Sequence, residues 1–176
     1  MGLLKEEQPV NILFLLCPQF WTKLPPLGIA CLNAFLKSHG YKSEVWDLNI
    51  ECYRKSSFAT RKRWLNSGNI DFQDNIFDMI DHRFIKTVIN HIGTHHYTVI
   101  CFSVFRSNRE FSIRLARALK ERYPNVYIIF GGPEVFAYNE TQGQSFPKDV
   151  HHYVDCLVCG EGERGLLYLL RCFEKK

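Results

Sequence analysis

Long apolar runs and an excess of charge of one sign are both missing from this 176-residue sequence. The longest apolar stretches, such as VNILFLLC at residues 10–17, fall far short of the roughly 20 residues that span a bilayer. The net charge is only +4, with acidic and basic residues mixed along the chain. That balance lacks the basic footprint of nucleic-acid binding. We therefore expect neither a membrane-spanning helix nor a nucleic-acid partner.

A regular cysteine framework is missing as well. The seven cysteines are odd in number and scattered through apolar segments, and no signal peptide precedes them. A reducing, cytoplasmic compartment is therefore expected. The composition, 46% apolar and 23% charged, is that of one soluble globular domain. We expect one domain over residues 1–176, with a disordered lead at 1–9 and an irregular insert at 51–75.

Five short apolar segments alternate with helical patterns along the chain. The predicted strands lie at residues 10–17, 41–48, 97–105, 126–130 and 153–160. Such alternation is typical of a parallel sheet with helices on both faces. We predict an α/β domain of the flavodoxin-like (Rossmann-like) type, with three layers and a five-stranded parallel sheet in the order 2-1-3-4-5.

Two helices carry detailed predictions. After the first strand, the apolar residues Leu27, Cys31, Ala34 and Phe35 recur at helical spacing, which predicts a helix that closes on Gly40. Before the helix that ends at Pro124, Ser107 and Glu110 have the spacing of a capping box.

Unusual segments follow four of the five predicted strands. CPQFWTKLPPLG follows the first strand, SVFRSN the third, GGPE the fourth and CGEGE the fifth. These ends share one edge of the sheet, and ligands of such sheets bind at that edge where the strand order reverses. The paired glycines serve either a tight turn or the close approach of a ligand to the backbone. The pattern alone leaves both interpretations open.

Several ligand classes lack the residues they need at this edge. A flavin phosphate needs free backbone N–H groups in the first loop, which instead contains three prolines and the bulky Phe20 and Trp21. A phosphorylated receiver domain needs an aspartate where Ser103 stands. The run GEGERG at residues 160–165 matches a dinucleotide fingerprint, but residues 166–176 are too few to complete the βαβ unit.

No metal site is predicted. Cys156 and Cys159 are three residues apart in a strand, so their side chains point to opposite faces. The adjacent pairs at residues 95–96 and 151–152 are histidines without a third ligand of suitable spacing.

Four segments, taken in order, resemble the N-terminal cobalamin-binding domain of the cobalamin-dependent radical S-adenosylmethionine enzymes. They are LPPLGIACLNAFLKSHGYKSEVWDLN, CFSVFRSN, IIFGGPEV and VDCLVCGEGE, and the similarity covers roughly residues 10–173. The resemblance implies a flavodoxin-like fold with the corrinoid lying across the carboxyl edge of the sheet.

The resemblance also implies which residues bind cobalamin. Ser103, Gly131 and Gly132 would line a slot for the nucleotide tail, because glycine permits close approach of a flat base and a hydroxyl can bond its polar atoms. Their plain structural alternative is a turn, and for the 160–163 segment it is the favourable charge of a helix N-terminus. The full predicted set is Pro25, Leu27, Gly28, Ser103, Val104, Phe105, Gly131, Gly132, Pro133, Glu134, Gly160, Glu161 and Gly162.

Two departures from related domains shape the expected chemistry. The lower-ligand motif D-x-H-x-x-G is absent, so we expect base-off cobalamin with no histidine on cobalt, suited to methyl transfer. The cluster motif C-x-x-x-C-x-x-C of the radical barrel is absent too. S-adenosylmethionine and the [4Fe–4S] cluster would therefore belong to a barrel domain outside this chain, which alone is expected to be inactive. The parent protein would be a cobalamin-dependent radical S-adenosylmethionine methyltransferase with that barrel as the partner of this domain.

Two other functions stay open from the sequence. One is a cobalamin-free interaction domain of the same fold, and the other is a flavin carrier. Bulky residues at Gly131 or Gly132 would favour the first, and they are not present.

Overall fold

The computed structural model describes residues 10–64, 80, 82–140 and 146–174. The predicted alternation of strands and helices is confirmed there. The strands are Asn11–Leu16 (β1), Lys42–Asp47 (β2), Val99–Ser103 (β3), Tyr127–Gly131 (β4) and Cys156–Val158 (β5). The helices are Leu27–Ser38 (α1), Leu48–Lys55 (α2), Phe58–Trp64 (α3), His82–Thr94 (α4), Arg109–Arg122 (α5), Pro133–Glu140 (α6) and Gly162–Phe173 (α7). The expected lead at residues 1–9 lies outside the described residues.

The sheet confirms the predicted fold class. All four strand pairs are parallel and the order is β2-β1-β3-β4-β5. The order reverses between β1 and β3, where consecutive connections leave toward opposite faces. No helix in the described part of the chain is long and apolar enough to cross a membrane.

The two faces of the sheet are packed unequally. Side chains alternate along each strand, so Phe14 and Leu16 of β1 pack under α1 and α7, while Leu13 and Leu15 pack under the other helices. The face covered by α2–α6 carries the larger apolar cluster, which includes Trp64. We call this face the closed side and the face covered by α1 and α7 the cleft side.

The helix predicted after the first strand is confirmed as α1, but the apolar residues whose spacing predicts it do not form its buried face. Ile29 and Leu36 are buried, whereas Leu27 is 71% exposed and Cys31 and Ala34 are exposed. Both helical frames of this segment are apolar, so periodicity alone did not choose between them. Tertiary packing against the sheet selects the frame of Ile29 and Leu36.

The predicted capping box is also wrong. Helix α5 begins at Arg109, and the Ser107 hydroxyl donates to the carbonyl oxygen of Gln19 at 2.8 Å. Ser107 thus links the β3–α5 connection to the loop after β1. Its hydroxyl bonds this distant carbonyl instead of capping the helix.

The expected insert at residues 51–75 is described only up to residue 64, where α2 extends to Lys55 and α3 spans Phe58–Trp64. Its remainder, residues 65–75, lies outside the described residues. Asp47 caps α2 by accepting the Ile50 N–H at 2.9 Å. Lys55 pairs with Glu51 one turn earlier at 2.6 Å, which favours the helix.

Candidate functional site

A cleft of about 400 Å³ opens at the carboxyl edge of the sheet on the cleft side. The first turns of α1 and α7 form its walls, and residues of β1, β3, β4 and β5 form its floor. Its volume lies within the roughly 300–1,000 Å³ typical of small-molecule sites. The lining is Phe14, Gly28, Ile29, Leu32, Cys101, Phe102, Ser103, Phe105, Ile129, Gly131, Gly132, Pro133, Val158, Gly160, Glu161, Gly162, Glu163 and Leu166.

The rim of the floor is a row of three residues on adjacent strands. Ser103 is in register with Gly131, and Gly131 is in register with Val158. Among the described residues the Ser103 hydroxyl has no hydrogen-bond partner, so it is free to bond a ligand. The missing side chain of Gly131 lowers the middle of this row.

Below the rim the floor is apolar. Phe14, Cys101 and Ile129 form the next row in register, and Leu166 of α7 closes it from above. All four are buried. Burial raises the pKa of the Cys101 thiol, so the floor carries no charge at neutral pH.

The two glycines after β4 play different roles. Gly132 has φ +100°, and a Cβ there would lie 2.8 Å from the Val104 carbonyl oxygen, so the turn itself requires glycine. A Cβ on Gly131 would meet only the Val158 carbonyl oxygen at 3.6 Å, an ordinary contact. Gly132 is therefore required by the tight turn, whereas the missing side chain of Gly131 leaves space in the cleft.

Two predicted site residues frame the cleft without lining it. The Val104 N–H donates to the Gly131 carbonyl at 2.8 Å and its carbonyl accepts the Glu134 N–H at 3.1 Å, while its side chain is buried on the closed side. The Glu134 carboxylate accepts from Arg109 at 2.7 Å and is 8% exposed. Both residues thus hold the β3 and β4 ends together.

The structure brings most of the other predicted site residues together. Pro25 and Leu27 are exposed and lie outside the lining, although Gly28 next to them is in it. The predicted residues that line the cleft are Gly28, Ser103, Phe105, Gly131, Gly132, Pro133, Gly160, Glu161 and Gly162.

A buried asparagine that was not among the predicted site residues links the ends of β1 and β3, where the strand order reverses. Asn108 is 0% exposed and accepts the Phe105 N–H at 2.8 Å. Its amide nitrogen donates to the carbonyls of Cys17 at 3.2 Å and Ser103 at 3.1 Å. The register of β1 and β3 ends at Leu15 and Phe102, so Asn108 replaces ladder bonds where the strands diverge.

A second buried asparagine holds the loop after β1. Asn49 is 0% exposed, and its side-chain oxygen accepts the Phe20 N–H at 2.8 Å and the Trp64 indole N–H at 3.2 Å. The Phe20 ring then lies 4.6 Å from the Phe105 ring, measured between centroids. Both asparagines stand in polar motifs, but only the folded chain shows what they bond.

The mouth of the cleft is acidic. Glu161 precedes α7 and Glu163 lies in its first turn, where a carboxylate is favourable beside the positive end of the helix. Gly160, the residue before Glu161, has φ +82°, in the left-handed region that favours glycine. No described group of three or more His, Cys, Asp or Glu residues could hold a metal ion. No histidine is in the lining.

Comparison with known proteins identifies the family. The family model described as B12 binding domain matches residues 19–170, most of the chain. The chain belongs to the B12-binding domain family. The sequence-based prediction of a cobalamin-binding domain is thereby confirmed at the level of the family.

Curated relatives match part of this B12-binding domain. It is 40% identical over 72 residues, 41% of the chain, to a cobalamin-dependent radical SAM methyltransferase, TokK, from Streptomyces tokunonensis. It is 38% identical over 72 residues to a 2-(S-pantetheinyl)-carbapenam-3-carboxylate methyltransferase from Streptantibioticus cattleyicolor. Each match spans 10% of the relative's length.

Proposed function

We propose that this chain holds cobalamin with its nucleotide tail in the cleft, the tail base off cobalt and no histidine in its place. The observation that carries the proposal is the space above Gly131, next to the unpaired hydroxyl of Ser103. A flat base can approach the backbone there more closely than any side chain would allow.

The residues present fit a tail base. The floor of Phe14, Cys101 and Ile129 is apolar, as an aromatic ring requires. Ser103 can donate to the base nitrogen that no longer binds cobalt. Gly28 faces open space, which leaves the α1 wall clear.

The described residues then have distinct tasks. Ser103 orients the base, Leu32 and Leu166 exclude water from it, and Asn108 keeps Ser103 in place. When bound, cobalamin would supply a methyl carrier at its cobalt. No histidine in the lining could take the place of the tail base on cobalt.

We further propose that the domain serves a radical S-adenosylmethionine methyltransferase. The similarity to the cobalamin-dependent radical SAM methyltransferase from Streptomyces tokunonensis supports this assignment. S-adenosylmethionine and the [4Fe–4S] cluster would belong to a separate barrel. Exposed apolar side chains lead into α1, with Trp21 61%, Leu24 54% and Leu27 71% exposed, and they suit a protein partner at this edge.

Titration with hydroxocobalamin tests the binding mode. We expect a saturable change from the base-on to the base-off absorption spectrum at micromolar protein concentration. Gly28→Leu and Gly131→Leu should each abolish it, because neither Cβ meets a close contact and the larger side chain extends into the cleft. Gly28→Leu should not destabilise α1, since glycine is about 1 kcal/mol worse than alanine within a helix.

Ala34→Leu is the matched control because it adds a similar side chain on the exposed face of the same helix. It should bind like the parent chain. Unchanged binding by both glycine variants, with both folded, would show that the tail lies outside the cleft. A binding spectrum that stays base-on would contradict the proposed state.

A further inference from the structure

Few side chains of the cleft can form hydrogen bonds. Among the lining residues, Ser103 alone offers an uncharged hydroxyl or amide side chain. The Cys101 thiol is buried in the floor, and the two carboxylates lie at the mouth. The remaining lining side chains are apolar or absent.

This small set of polar side chains matches one class of tail base better than another. A dimethylbenzimidazole attached to its ribose keeps one free ring nitrogen, and its opposite edge carries two methyl groups. A purine such as adenine carries further ring nitrogens and an exocyclic amine. Each polar atom that enters an apolar site without a partner loses the hydrogen bond it made to water.

We propose that the cleft selects cobamides by their lower base and prefers benzimidazole to purine. This inference rests on the proposed function, because it requires the tail base to enter the cleft. Ser103 satisfies the single free nitrogen of the benzimidazole. Phe14, Ile129 and Leu166 present apolar surface that suits the methyl-bearing edge, and their side chains offer a purine amine no hydrogen-bond acceptor.

The expected discrimination is moderate. An apolar pocket rejects an analogue that only adds polar groups by roughly ten- to hundredfold, because part of the added group keeps some contact with water. The dissociation constant of an adenine-bearing cobamide should therefore be about ten to a hundred times that of cobalamin. A purine nitrogen is the weaker donor to cobalt, so release of the base from cobalt favours the purinyl cofactor and cannot produce this preference.

The test compares three corrinoids on the full chain: hydroxocobalamin, the adenine-bearing aquocobamide and diaquocobinamide, which has no base. Dissociation constants come from calorimetry, which requires no enzymatic turnover. We expect cobalamin to bind most tightly, followed by the purinyl cobamide, with cobinamide weakest or equal to the purinyl form.

The three probes separate the two proposals. Equal binding of cobalamin and cobinamide would show that the base makes no contribution, which overturns both the tail-in-cleft function and this inference. Equal binding of cobalamin and the purinyl cobamide, both tighter than cobinamide, would keep the function and overturn the selectivity. In that case the added polar atoms of the purine keep hydrogen-bond partners in the cleft.

A variant of the wall sharpens the result. Leu32 lies half-buried on α1 and lines the cleft, so Leu32→Gln adds an amide without placing it in the deep floor. We expect the preference for benzimidazole to fall several-fold in this variant. Ala34→Gln places the same side chain on the exposed face of α1 and should leave the preference unchanged. An unchanged preference in Leu32→Gln, with cobalamin still bound, would contradict selection by the wall.

Discussion

Phe130 of β4 and Phe14 of β1 belong to the same sheet, but their side chains lie on opposite faces of it. On the closed side the Phe130 ring packs among the rings of Phe102 at 5.1 Å and Phe146 at 5.9 Å, centroid to centroid. On the cleft side Phe14 is equally buried yet faces an open cleft. One side of the sheet thus supplies most of the packing, and the other leaves space for a ligand at its carboxyl end.

The largest expected effect comes from truncating these two rings. Phe130→Ala should lower the free energy of unfolding by about 3–5 kcal/mol, the cost of a buried aromatic and its cavity. Phe14→Ala should cost less, because the lost volume joins a solvent-connected cleft rather than forming a sealed cavity. Urea unfolding of both variants measures the difference, and an equal or larger cost for Phe14→Ala would contradict the comparison.

Removing the Asn108 side chain should affect both stability and binding. Asn108→Ala leaves the carbonyls of Cys17 and Ser103 and the N–H of Phe105 without this partner, at about 1–3 kcal/mol for each that stays unpaired. Because Ser103 and Phe105 line the cleft, cobalamin affinity should fall as well. Calorimetry at a temperature where the variant is folded provides the measurement.

Ser112→Ala is the control for that result. Its hydroxyl is buried and donates to the Asn108 carbonyl at 2.8 Å, so its loss disturbs the same region without touching the cleft. Affinity should be retained in this variant. If both variants lost affinity in proportion to stability, Asn108 would be structural only.

A methyl group at each glycine after β4 gives the next effect. Gly132→Ala should cost about 1–3 kcal/mol, because alanine at φ +100° is strained and its Cβ would lie 2.8 Å from the Val104 carbonyl oxygen. Gly131→Ala should be neutral or should gain roughly 0.5–1 kcal/mol, since glycine weakens a strand. Thermal unfolding checks both, and a stable Gly132→Ala protein would contradict the assigned turn.

The smallest effect is the titration of His91, on α4 of the closed side. Desolvation, followed by the neighbouring His95, lowers the pKa of His91, while Glu44 and Glu51 oppose the shift. The unfolded chain then binds this proton more readily, so stability present above pH 6.5 is lost as the pH falls through the lowered pKa.

The size of this effect should stay below about 0.5 kcal/mol, as for most surface positions. Unfolding of the parent chain and of His91→Gln between pH 7.5 and 5 measures it, and the variant should show a flatter profile. Cobalamin affinity should not follow the same titration, because His91 is not part of the cleft lining. A steeper loss of stability in His91→Gln would reverse the inferred sign.

The sequence predicted the sheet order and its functional edge because strand and helix periods alternate clearly and parallel strands share one carboxyl end. It could not choose the buried face of α1, since Leu27 and Ile29 belong to two equally apolar frames. It also left Gly131 and Gly132 equivalent, because backbone angles and contacts with Val104 exist only in the folded chain. The apolar floor gave no separate signal, since Phe14 and Ile129 look like ordinary core residues in a strand pattern.

Gly28 makes the size of the cleft adjustable from one position. It lies in the first turn of α1, and a Cβ there meets no side chain or neighbouring element within 4 Å. Alanine, valine and leucine at this position would shorten the cleft in steps of one or two carbons while the helix gains stability. The first substitution in this series that abolishes binding would therefore show how deep into the cleft the bound group extends.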